Sequence, residues 1–323
     1  MFGKLFGIAA NSFIETVRQP IYLVILGVTA FLMIMNVGLA AFTLDDDDKL
    51  LMDLGLSTLL LSGMFLASFS AAGVLSREIE NKTALTVISK PVSRTTFLGG
   101  KYLGLLAALV VAFYISFMVF VMTQRHAVLQ TSADPWDWPV IAFGFGGLLL
   151  VLLGAGFCNY FYDMEFASTA VGWAVPVFTV AVGLIACFDE EFKVQTFWDG
   201  MIAGQPIAAA CLVLCGVLLL AAVALAASTR LGQISTLLTC AAVLAIGLIS
   251  DYAFGRHAED SAVAAAVYRI VPNLSLIGVT QALHSDEIIV PGSYVWMTAA
   301  YCGLYVAAAL LIGVALFQTR EVG

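Results

Sequence analysis

Few residues of this chain have the types and spacing that chemistry requires, and each grouping stops short of a complete site. TTFLGGKY, at Thr95–Tyr102, comes nearest to a phosphate-gripping loop. Such a loop needs G-x-x-x-x-G-K-[ST], because clustered backbone N–H groups and a lysine must surround the phosphates. Thr95 stands where the first glycine belongs, and Tyr102 where the metal-binding Ser or Thr belongs. The segment therefore reads as the start of a helix. The six cysteines, Cys158, Cys187, Cys211, Cys215, Cys240 and Cys302, all lie inside or beside apolar runs. Cys211 and Cys215 share a helix face at i, i+4, but no His or carboxylate joins them, so they read as small buried hydrophobes. His126, His257 and His284 have acids in the same loops (Asp251, Glu259, Asp260, Asp286, Glu287). No pair has ligand spacing, so solvated loop residues are expected and no metal site. No catalytic residue is expected, and no cofactor held by this chain.

Composition explains why such groups are scarce. Of 323 residues, 61% are hydrophobic and 11% charged, and the mean hydropathy is +0.99. A soluble domain carries roughly 25% charged residues, so this chain could not cover its own surface in water. The first 20 residues contain Lys4, Glu15 and Arg18 and lack a compact apolar core with a small-residue cleavage site. They do not read as a cleaved signal. A membrane span takes about 20 apolar residues. Eight segments qualify, at about 21–43, 54–76, 98–122, 138–161, 168–188, 205–227, 232–252 and 294–317. The fifth contains Pro176. In hydrocarbon every backbone polar group must pair locally, so these segments are expected to be helices.

Charge sets the expected orientation. With the N-terminus in the cytoplasm, nine Lys and Arg fall inside and five outside, against six and sixteen acids. The inner face is then +3 and the outer face −11, with both termini cytoplasmic. The DDDDK run at Asp45–Lys49 reads as a solvated outer loop. Phe2, Phe6, Ala9, Phe13 and Val17 recur at helical spacing, with Lys4, Asn11, Glu15 and Arg18 opposite and Pro20 closing the segment. That pattern predicts an interfacial amphipathic helix on the cytoplasmic leaflet. Residues 253–292 form an outer segment, in which Arg269 and Pro272 divide the apolar stretch Ala262–Leu283 into two short helices. Glycines 144, 146, 147, 154 and 156 in the fourth span suit close helix contact, within the subunit or between subunits.

No Asp, Glu, Lys, Arg or His falls near the middle of any expected span. Ion-driven carriers, pumps and proton relays need such groups, and an intramembrane protease needs a base for its nucleophile. Energy for any transport must come from another subunit.

One short segment gathers charge. SREIENKTALTVISKPVSRTTFLGGK, Ser76–Lys101, lies between the second and third spans and holds five basic residues. It alternates charge, gives an apolar run at Ala84–Ile88 and stops at Pro91; Ser93 is placed to cap the next helix. By composition alone this is a positive-inside loop carrying one short amphipathic helix.

The segment resembles the coupling region of ABC-2-type ABC transporter permeases. There an R-E-x-E-x-G-T element follows the second span and leads through Pro-[VI]-S-R to a Gly-Lys at the third. Arg77, Glu78, Glu80, Thr83, Pro91, Val92, Ser93, Arg94, Gly100 and Lys101 match, and Lys82 departs where the family often has Gly. AASTRLGQISTLL at Ala226–Leu238, VPNLSLIGVTQAL at Val271–Leu283 and the LFQTREVG ending extend the resemblance, closest to permeases of multicopper-enzyme maturation and nitrous-oxide-reductase assembly. It implies an all-α polytopic bundle in a bacterial inner membrane, with a six-span exporter-like core and an extra hairpin at about 138–188. It further implies a cytoplasmic ABC ATPase that binds ATP and Mg, a second permease copy or homologue, and no nucleic-acid partner. Residues 77–91 would be the coupling helix within a cytoplasmic coupling segment 77–97, and the ATPase-coupling residues would be Arg77, Glu78, Glu80, Thr83, Pro91, Ser93, Arg94 and Lys101. The implied function is export. The competing expectation is a mechanotransmitting scaffold that docks an ATPase and moves no substrate; an outer segment of only about 40 residues favours transport.

Overall fold

The chain is an all-α polytopic helical protein. The computed structural model describes residues 2–41, 47–80, 93–129, 136–200, 204–258, 261–278 and 290–318. Among these residues the helices are α1 (Phe2–Val17), α2 (Pro20–Ala40), α3 (Asp47–Glu80), α4 (Arg94–His126), α5 (Trp138–Tyr162), α6 (Phe166–Ala186), a turn α7 (Phe197–Gly200), α8 (Gly204–Ser228), α9 (Gln233–Ala253), α10 (Ala262–Ile270) and α11 (Gly292–Gln318). Eight of them, α2 to α6, α8, α9 and α11, are long and apolar enough to cross a membrane, and they coincide with the eight expected spans. Their outward faces carry large apolar side chains such as Phe31, Leu153, Leu238 and Leu304. A hydrocarbon solvent makes that exposure favourable.

Local sequence accounts for several helix ends. Pro20 opens α2, where its missing N–H costs nothing. Asp137 caps α5 by accepting from Val140 N at 3.0 Å, and Asp163 closes that helix in the left-handed conformation. The third to fifth residues of the DDDDK run form the first turn of α3 rather than loop, the end of a helix dipole at which acids are favoured. Helix α6 passes unbroken through Pro176. Gly172 stands four residues earlier, on the carbonyl that the proline ring approaches. Between α9 and α11, α10 ends at Ile270 and, among the described residues, a 3-10 turn, Leu274–Ile277, follows Pro272.

The chain forms two compact units, one of residues 1–16, 63–109 and 211–323, the other of 17–62 and 110–210. Helices α3, α4 and α8 each contribute a segment to both. In the first unit α11 packs through Gly313 against Leu98 and Ala226, and α3 through Gly63 against Val217. In the second, α5 and α6 form a tight hairpin. Gly147 faces Val177 and Phe178, and a Cβ on Gly154 would lie 3.1 Å from the Trp173 ring. Those two glycines therefore serve contact within the subunit, while Gly146 and Gly156 face open space.

Helix α1 forms where expected but turns a different face inward. Ser12 and Thr16 are fully buried, whereas Phe6 is 66% exposed and Ile14 is exposed. The helix thus has three faces. A docking face runs through Leu5, Ile8, Ala9, Ser12 and Thr16. The outward side divides into an apolar flank with Phe6 and Ile14 and a polar flank with Lys4, Asn11 and Arg18. Hydropathy alone cannot distinguish an apolar face turned to lipid from one turned to protein.

Candidate functional site

The charged segment begins as a direct continuation of α3. That helix has 34 residues, roughly 51 Å at 1.5 Å per residue, and its apolar span ends at Val74. Arg77, Glu78 and Glu80 therefore occupy its last turns beyond the apolar part, not a separate short helix as the sequence suggested. Thr83 and Pro91, with the rest of 81–92, lie outside the described residues.

The segment closes at Ser93, which caps α4 as expected. Its Oγ accepts from Thr96 N at 3.1 Å and shares a hydrogen bond with Thr96 Oγ1 at 2.7 Å. Arg94 then reaches the far end of the chain. Its Nη1 donates to Phe317 O at 3.2 Å and Gln318 O at 2.6 Å, and its guanidinium lies 5.9 Å from the centre of the Phe317 ring. Phe97 stacks on the same ring at 5.8 Å. Arg230, in the turn between α8 and α9, donates to Leu316 O at 3.0 Å. The last carbonyls of a helix lack intrahelical donors and carry partial negative charge. Two arginines from distant parts of the sequence satisfy those of α11.

Lys101 is the most constrained of the candidate residues. Its side chain is 2% exposed; Nζ lies 3.4 Å from Glu15 Oε2 of α1 and 5.8 Å from the Phe97 ring centre. Glu15 is 23% exposed. The pair sits beside a close helix crossing. Gly100 and Gly104 both turn toward α1: a Cβ on Gly100 would meet Ile8 Cβ at 2.8 Å and Leu5 O at 3.1 Å. A Cβ on Gly104 would overlap Ala9 O and lie 2.6 Å from Ser12 Cβ. GKYLG is thus a small-xxx-small seat for α1, and the lysine between its glycines anchors that helix by charge. Tyr102, next in line, donates to Leu218 O of α8 at 3.1 Å.

The six candidate residues that are described divide by position. Arg94 and Lys101 are engaged inside the protein and hold α11 and α1. Ser93 forms the start of α4. Arg77, Glu78 and Glu80 end α3. Sequence reasoning missed Glu15, Gly104 and Arg230 as partners of this region. The G-x-x-x-G spacing was a legible signal for the seat; nothing in the sequence pairs Arg94 with a carbonyl 223 positions away.

A polar network pins the segment between α9 and α11 at another point of the first unit. Tyr268 Oη donates to Asp251 Oδ1 at 3.0 Å, and Asn273 Nδ2 donates to Tyr268 Oη at 3.2 Å. Asn273 N donates to Tyr301 Oη at 2.8 Å, and Tyr305 Oη to Arg269 O at 3.0 Å. The hydrogen bond to the Asp251 carboxylate raises the Tyr268 phenol above its ordinary pKa. Among the described residues no group of three His, Cys, Asp or Glu is placed to hold a metal ion. His284 lies outside them. The six cysteines are free thiols. No family model matches the sequence, and no curated protein matches it.

Proposed function

We propose that the chain is the membrane-spanning subunit of an ABC transporter of the ABC-2 class, an exporter driven by a separate cytoplasmic ATPase. One observation carries this reading: the order R-E-x-E, T, P-V-S-R, G-K across Arg77–Lys101, between the second and third of eight apolar helices. The physical setting supports it. An element that receives a push must pass it to the spans, so its two ends must be continuous with them. Arg77–Glu80 end α3 and Ser93 starts α4. Arg94 and Lys101 join α4 to α11 and α1, so displacement of the segment moves three membrane-associated helices together. The charge asymmetry, +3 against −11, supports a bacterial cytoplasmic membrane with both termini inside. ATP and Mg bind on the ATPase, and a second permease copy or homologue completes the pathway.

The experiment is recovery of the tagged chain from its native membranes. An ATPase with a Walker A loop is expected to co-purify. Glu78→Arg and Glu80→Arg are expected to reduce its recovery at least about tenfold, as like-charge placement does at an interface, with helical content unchanged. Absence of any such ATPase, or undiminished recovery with both variants, refutes the assignment.

A further inference from the structure

We propose that α5 is a lipid-facing helix whose aromatic ends sit in the headgroup layers of the two leaflets, and that a second copy does not dock on it. The proposal goes beyond the transport assignment, rests on the membrane assignment alone, and stands if the transport assignment fails. At the middle of α5, Leu148, Leu149, Leu150, Leu152 and Leu153 are all exposed, while Val151 is buried. At 3.6 residues per turn those leucines cover an arc of about 200°. The stripe through which a helix meets a packed neighbour is about 100° wide. One helix of a second copy does not cover the arc, and hydrocarbon does.

Polarity along α5 follows that of a bilayer in both directions. Toward its C-terminus the leucines give way to Phe157, Tyr160, Phe161 and Tyr162, all exposed, Tyr160 by 82%. Asp163 and Glu165 come next, and Glu165 pairs with Arg18 at 3.1 Å. Toward the N-terminus lie the exposed rings of Trp138 and Trp136, with Asp137 between them. Arg125 pairs with Asp137 and donates to Gly200 O, which holds α7 and its exposed Trp198 at the same end. Tryptophan and tyrosine concentrate where hydrocarbon gives way to headgroups. From Trp138 to Tyr160 the helix rises about 33 Å at 1.5 Å per residue. That just exceeds a hydrocarbon core of about 30 Å, so the rings at each end reach the headgroup side of it.

Composition also separates lipid from protein as the cover. Contacts between membrane helices use small residues, and α5 turns Gly147 and Gly154 to α6 for that purpose. Gly146 and Gly156 face open space, but one turn on from them stand the exposed side chains of Leu150 and Tyr160, which hold another backbone away. At the C-terminal end the four rings of Phe157, Tyr160, Phe161 and Tyr162 again spread over about 200° of the helix. A docking surface for a soluble protein occupies one side. A headgroup layer meets every side that the rest of the chain leaves open.

The test uses the full chain in vesicles with two photoactivatable phospholipids, one carrying a diazirine on the headgroup and the other at the end of an acyl chain. Fragmentation of the labelled peptides locates the adducts. The headgroup probe is expected to favour 157–162 and 136–138 over 148–153, and the chain-end probe to reverse that order. Residues 66–72 of α3, where Ala67, Ser68, Ser70 and Ala72 are fully buried, are expected to take neither. The same order with both probes overturns the proposal, as does labelling of 157–162 no greater than that of 66–72. Crosslinks from 148–162 to a second copy also overturn it. Failure of the transport assignment shows separately, as failure to recover an ATPase.

Discussion

Three neighbouring glycines of α4 give opposite expectations for one substitution. Gly99→Ala places a methyl group 3.8 Å from Leu5 Cδ1, an ordinary contact. It removes a helix glycine, worth up to about 1 kcal/mol in favour of the helix. Gly104→Ala places the methyl group against Ala9 O, 2.6 Å from Ser12 Cβ and 2.9 Å from Phe13 N. Two of these are backbone atoms, which cannot rotate away, so α1 must lift by about 1 Å. Such a gap forfeits a quarter to a half of each dispersion contact, and overpacking of this kind costs about 1–3 kcal/mol. The Lys101–Glu15 distance, already 3.4 Å, lengthens with it. Gly100→Ala, 2.8 Å from Ile8 Cβ and 3.1 Å from Leu5 O, is intermediate, because its contacts are longer than the overlap at Gly104. The assay is amide hydrogen exchange of Phe2–Val17 in lipid nanodiscs. A docking loss of about 1–3 kcal/mol appears as faster exchange by roughly 5–150-fold, confined to α1 and the start of α4. The order expected is Gly104→Ala far above Gly100→Ala, with Gly99→Ala unchanged or slower. Equal exchange in all three variants refutes the glycine seat and the reading of Lys101 as an anchor of α1.

Arg94→Ala removes both donors to Phe317 O and Gln318 O; hydrogen bonds to a charged group are worth about 1.5–3 kcal/mol, so the C-terminal turn of α11 is expected to fray, read as faster exchange at 314–318, while α1 stays protected. Arg125 donates to Asp137 Oδ2 at 3.1 Å and to Phe188 O and Gly200 O at 2.9 Å, with Asp137 only 2% exposed. Arg125→Ala strands a buried carboxylate and is expected to lower stability by about 3–5 kcal/mol, measured by thermal unfolding in detergent, with Asp137→Asn milder because it retains an acceptor for Val140 N. Tyr268 binds its proton more tightly folded than unfolded, so its contribution is complete below its ordinary pKa of about 10 and is lost as pH rises through the higher folded value. Labelling of α10 by a water-soluble probe is expected to increase above about pH 10 and to lose that dependence in Tyr268→Phe.

The sequence by itself determined how many helices are apolar enough to cross a membrane, and nearly where each begins and ends. In hydrocarbon each backbone group must pair within its own helix, so the pattern of apolar residues along the chain suffices. Local chemistry also sufficed for the Ser93 cap and for the break near Pro272, because each involves atoms a few residues apart. Tertiary structure decided what helices do to one another. It turned Ser12 and Thr16 of α1 inward and left Phe6 outside. It gave Lys101 to Glu15 across 86 positions and Arg94 to the end of α11 across more than 220. It used Gly104 for α1 and Gly154 for Trp173, while Gly146 faces nothing. A glycine permits close approach, and a lysine carries charge, in any environment. Which neighbour each meets depends on the rotation and register of helices distant in sequence, and hydropathy along one chain contains neither.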